Sequence, residues 1–148
     1  MREKTTAEDK RKHLEFIQGV INRLSSNTFL FKGWSITIIV AVFTAMVTTK
    51  NYALMWLSLG ATLIFWFIDA YYIMLEQSYR KLYDKVAETD IEKIDYKMGV
   101  KDYICFSAWI KAFKRPVLLM FYGVILVVTI CVIIGSNFDI SLIIKLKE

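Results

Sequence analysis

The stretch "LIFWFIDAYYIML", Leu63 to Leu75, decides the reading of this chain. Eleven of its residues are large apolar or aromatic ones, and Ala70 and a single carboxylate, Asp69, complete it. With the residues before it, the run extends back to Ala53 and reaches the roughly 20 apolar residues that a helix needs to cross a bilayer core of about 30 Å. A charge inside such a span is costly and calls for a partner or a polar path.

Two more apolar blocks accompany it. One covers Trp34–Val47, or Phe29–Thr49 if Lys32 reaches back to the interface along its apolar stem. The other covers Val117–Ile134, with Pro116 at the position a first-turn proline favours. The final patch "ISLIIK" is too short to span and reads as an interfacial tail. The first apolar block starts late and no small-residue cleavage site follows it, so no secretory leader is expected. At 148 residues, 56% hydrophobic and with a mean hydropathy of +0.43, the chain reads as one all-α membrane protein with three transmembrane helices.

The expected segments are a cytoplasmic amphipathic helix over 1–28, two transmembrane helices within 29–75, a cytoplasmic extension and connector over 76–115, a third transmembrane helix over 116–136 and an extracytoplasmic tail over 137–148. Orientation follows from Lys and Arg. Residues 1–33 and 76–116 carry sixteen of the nineteen, leaving Lys50, Lys145 and Lys147 on the other side. The positive-inside rule therefore places the N-terminus inside and the C-terminus outside. Trp34, Tyr71, Tyr72 and Tyr122 fall near the inner interface, and Tyr52 and Trp56 near the outer one.

The charged segments also have helical periodicity. Leu14, Ile17, Ile21 and Leu24 form one stripe, with Phe16 and Val20 beside it. Leu75, Tyr79, Leu82 and Val86 form another, and Glu76–Arg80 and Arg80–Asp84 are spaced for i,i+4 ion pairs. The second helix is therefore expected from Ala53 to about Glu88, roughly 54 Å long, and packed against the N-terminal helix. "TDIEKIDYKMGVKD" (89–102) reads as an irregular connector, and "YICFSAWIKAFK" (103–114) as an amphipathic helix at a membrane surface.

Two polar stripes run through the apolar blocks. Gly33, Thr37, Ala41, Thr44 and Thr48 share one face of the first span. Ser58, Thr62, Asp69, Tyr72 and Glu76 share one face of the second. Such rows either let helices approach and hydrogen-bond or line a watery path. The pathway candidates are Thr37, Thr44, Thr48, Ser58, Thr62 and Asp69. Asp69 is either paired with Lys32 or Arg115, or part of a ring of carboxylates around a pore. Three spans enclose no wide pathway alone, so a channel requires a cyclic homo-oligomer.

The basic segments are open to two readings. They set topology and touch anionic lipid headgroups, or they bind an anionic nucleotide or oligonucleotide. The ligand candidates are Arg11, Lys12, Arg23, Arg80, Lys81, Lys85, Lys97 and Lys101, with Tyr79, Tyr83 and Tyr96 interleaved as stacking platforms. A single histidine, His13, and two isolated cysteines argue against a metal site, a disulfide framework or a Ser-His-Asp triad. No cofactor and no enzymatic activity are expected. An adaptor that anchors a soluble partner at the membrane is the alternative to a channel.

The runs "HLEFIQGVINRLSSNTFLFKGWSITIIVA" (13–41), "LIFWFIDAYYIMLEQSYRKLYDKV" (63–86) and "LLMFYGVILVV" (118–128) resemble a family of small bacterial membrane proteins. Within it, the chain is similar to the ion-channel effector of Hailong-type antiphage defence systems. That resemblance implies a homotetrameric channel of the inner membrane, held shut by single-stranded DNA oligomers from a partner nucleotidyltransferase. Loss of the oligomers during infection would open it and depolarise the membrane. No functional residue is transferred by it.

Overall fold

The N-terminal helix starts at a cap. Thr6 Oγ1 accepts from the Asp9 N–H at 3.2 Å, and Asp9 Oδ2 accepts from the Thr6 N–H at 2.9 Å and its hydroxyl at 2.6 Å. This reciprocal capping box satisfies donors that the first turn leaves free. The computed structural model describes the backbone of residues 6–145 and the side chains of residues 6–135.

Four α-helices follow in order: α1 (Ala7–Thr49), α2 (Leu54–Glu88), α3 (Phe106–Phe113) and α4 (Pro116–Lys145). The expected N-terminal helix and first span are one uninterrupted α1. The "SSNT" run at 25–28 contains poor helix formers, but each costs only tenths of a kcal/mol and none is Gly or Pro, so the helix continues. α2 covers the expected range to within a residue, and Pro116 opens α4 as expected. α4 also continues as helix through Lys145, so the expected tail is helical up to there; residues 146–148 lie outside the described residues.

Between α1 and α2 the chain turns at Lys50, whose φ of 53° is left-handed, the usual device for ending a helix. The Asn51 side chain then accepts from the Ala53 N–H at 3.1 Å. The connector is irregular as expected, with single 3-10 turns at Ile91–Lys93 and Lys101–Tyr103. Asp90 caps the first of these turns without a side-chain hydrogen bond.

The chain divides into two compact units. The first comprises residues 1–30 and 70–112. Its core joins Ile17 and Ile21 of α1 to Leu82 and Val86 of α2, closed by Val100 of the connector. This is the helix pairing that the two apolar stripes anticipated. Lys10 clamps it by donating to the carbonyls of Ala87 and Thr89 at 2.8 and 2.9 Å, capping the C-terminus of α2 with a cation.

The second unit comprises residues 31–69 and 113–148. It buries polar groups beside apolar ones such as Ile39, Met55, Trp66 and Leu118, and exposes large apolar side chains. Ser35, Ser58, Thr62, Asp69 and Thr129 are buried, whereas Trp34, Val40, Trp56, Leu57, Met120 and Val124 are exposed.

Candidate functional site

The centre of the second unit is Asp69, whose side chain is fully buried. Lys32 of α1 brings its Nζ to 2.6 Å from Asp69 Oδ2. The Tyr122 hydroxyl of α4 donates to the same oxygen at 3.2 Å. Each of three helices thus contributes one group. Among the described residues, Asp69 Oδ1 has no hydrogen-bond partner. Of the two cations offered by the sequence, Lys32 makes the pair.

Trp66 and Tyr122 wall this cluster. Their rings stack 5.9 Å apart, and Phe113 stacks on Trp66 from the end of α3 at 4.4 Å. The Trp66 indole donates to the Phe113 carbonyl at 3.2 Å. Helical spacing puts Trp66 and Asp69 on adjacent positions of one face, but no local pattern in the sequence reveals Tyr122 as a ligand of the carboxylate. The geometry of the cluster suits holding a charge still in an apolar surrounding, because the pair and the phenol neutralise and orient it.

The two polar stripes separate. On α2, Ser58, Thr62 and Asp69 are buried within the unit. The Thr62 hydroxyl bonds back to the Ser58 carbonyl at 2.8 Å, while Ser58 Oγ has no partner among the described residues. On α1, Gly33, Thr37, Ala41, Thr44 and Thr48 are all exposed. The Thr37, Thr44 and Thr48 hydroxyls bond back to the carbonyls of Gly33, Val40 and Thr44 at 3.0, 2.9 and 2.8 Å. Thr44 and Thr48 also border an apolar groove of about 530 Å³ against Val124 and Val128 of α4.

In the first unit the basic candidates are dispersed. Lys85 and Lys97 share one cavity of about 300 Å³ with Lys93, Asp95 and Asp102. Lys97 Nζ lies 3.2 Å from Asp95 Oδ2, and backbone and side-chain hydrogen bonds from Lys97 hold the Asp95 carboxyl below its ordinary pKa. Arg11 pairs with Glu8 at 2.8 Å, and Arg80 with Glu76 at 2.8 Å. Lys12 borders a separate groove beside His13. Arg23, Lys81 and Lys101 are exposed and line neither cavity. Tyr79 and Tyr83 pack against the apolar core rather than standing free.

Among the described residues this is an all-helical architecture with three helices long and apolar enough to cross a membrane: α1, α2 and the part of α4 from Pro116 to Gly135. No protein-family model matches it, and no curated protein or solved structure matches it significantly.

Proposed function

We propose that the chain is the subunit of an oligomeric ion channel of the bacterial inner membrane. The exposed row of Thr37, Thr44 and Thr48 carries this reading. Among the described residues the row lies exposed, each hydroxyl bonded back to a carbonyl of its own helix. Facing copies of itself around an axis, it supplies polar groups to a path. The apolar exterior of the second unit favours a bilayer surround, and the sixteen Lys and Arg of 1–33 and 76–116 favour an N-terminus inside.

The basic segments of the first unit would gate the channel by binding an anionic nucleotide or oligonucleotide. Lys85 and Lys97 are the pair brought to one cavity. The resemblance described above supports a tetramer controlled by single-stranded DNA oligomers from a partner nucleotidyltransferase. It also supports depolarisation as the outcome in antiphage defence.

The test is conductance of the purified protein in liposomes. Cation flux from a cyclic oligomer is expected, reduced by combined replacement of Thr37, Thr44 and Thr48 with valine. A monomer that conducts under no condition overturns the proposal.

One observation favours a second reading. Asp69 finds its cation within the same chain, so the buried charge needs no other subunit. On that basis the chain is a membrane anchor whose first unit recruits a soluble partner. Function that survives the triple valine replacement but is lost on disrupting Leu82 or Val86 would select this alternative.

A further inference from the structure

The groove in the first unit beside His13 has unmet hydrogen-bonding capacity. It lies between α1 and the connector and measures about 600 Å³, within the range of small-molecule sites. His13 is buried, only 6% exposed, and among the described residues its Nε2 has no hydrogen-bond partner. The hydroxyl of Tyr96 is likewise buried and, among the described residues, without a partner. Both residues line the groove, their rings meeting edge to face at 5.2 Å. Buried polar groups are normally satisfied, so two orphans in one groove point to an absent partner.

The backbone supports this. Tyr96 has a φ of 51°, and a bulky residue rarely adopts the left-handed region unless its surroundings impose it.

The chemistry of the lining selects a class of ligand. With a proton on Nε2, His13 donates, and so does the Tyr96 hydroxyl. Lys12 adds a cation at the rim; it is 61% exposed and only 4.0 Å from Glu8, loose enough to swing inward. Asp9, also on the rim, already accepts from the Thr6 N–H and hydroxyl. Phe16, Val20 and Met98 complete the lining, and Phe16 is 69% exposed. Three donors beside an apolar shelf suit an oxyanion carried on an apolar or aromatic body.

We propose that this groove binds an organic anion, its oxyanion received by His13, Tyr96 and Lys12 and its apolar body laid on Phe16, Val20 and Met98. The anion can be a soluble organic phosphate or the headgroup of an anionic lipid, since both present the same group. This groove is separate from the Lys85–Lys97 cavity of the proposed function, so the inference goes beyond that reading, and its test does not use conductance. A chain that binds but never conducts defeats the channel alone; one that conducts but never binds defeats this site alone.

The single histidine makes the test direct, because its imidazole gives one set of NMR signals. The full chain, labelled with ¹⁵N-histidine in phosphatidylcholine nanodiscs, is titrated with phenyl phosphate. A saturable shift of the Nε2 signal is expected, and benzyl alcohol, which lacks the anion, should give none. Tyr96→Phe, which removes one oxygen and keeps the ring, and Lys12→Gln should each weaken binding about tenfold. Nanodiscs containing phosphatidic acid separate the sources. A shift without added probe assigns the lipid headgroup, and a shift with phenyl phosphate alone assigns a soluble ligand. No saturable shift from either source up to about 10 mM probe, or one unchanged in both variants, overturns the proposal.

Discussion

Lys32 of α1 places its Nζ 2.6 Å from Asp69 Oδ2 of α2, and the carboxylate it neutralises is fully buried. Removing one partner of such a pair leaves an uncompensated charge, which costs about 3–5 kcal/mol, whereas replacing both with apolar groups is often neutral. Lys32→Met is therefore expected to be strongly destabilising, and Lys32→Met with Asp69→Leu to recover most of the loss. Thermal unfolding in detergent measures both. Equal loss in the single and double variants would show that the pair contributes through something other than charge.

The apolar seam of the first unit should behave as a core. Leu82 is 6% exposed and packs in one cluster with Ile17, Ile21 and Val86. Leu82→Ala is expected to cost about 2–5 kcal/mol, the range for buried leucines. Ile17→Ala and Leu82→Ala together should depart from additivity, because they share one contact surface. Unfolding of the three variants gives the coupling energy.

Acid should loosen the start of α1. Hydrogen bonds from the Thr6 side chain and backbone hold the Asp9 carboxyl below its ordinary value of 3.8. A depressed carboxyl stabilises the folded helix start above the unfolded pKa, and that contribution is lost as pH falls through the folded one. Amide exchange in the first turn should therefore lose protection below about pH 4, relative to the intrinsic exchange rate. Asp9→Asn should already be less protected at neutral pH and show no such transition.

Cys105 should be the more reactive thiol at neutral pH than its ordinary value implies. It is exposed, and its sulfur lies 3.1 Å from Ser107 Oγ. The Ser107 hydroxyl, with the backbone N–H groups of Ala108 and Ser107, holds the thiol below its ordinary pKa of 9.0. Since the thiolate is the nucleophile, alkylation should rise with pH through a midpoint below 9.0. Ser107→Ala should move that midpoint upward. The pH–rate profile of iodoacetamide labelling on a Cys131→Ser background measures both.

Much of this molecule is local information. The extent of α2 could be read from the four- and three-residue steps of Leu75, Tyr79, Leu82 and Val86. Pro116 marked the start of α4, because only the first turn tolerates a residue without an N–H. The pairing of Ile17 and Ile21 with Leu82 and Val86 was also legible, since each apolar stripe crosses a charged background and has to be covered. Helix identity, helix limits and the faces to be buried all follow from periodicity along one element.

What lies across elements was not legible. Sequence spacing drew the Thr37–Thr48 row and the Ser58–Asp69 row as equals, yet the second is buried and the first exposed. Nothing along α1 or α2 encodes that difference, which depends on where α4 packs. The same holds for Tyr122 on Asp69 and for His13 against Tyr96, residues separated by many positions and joined only once the helices and connector are in place. Periodicity specifies which faces are polar or apolar, and only tertiary packing decides which of them meet.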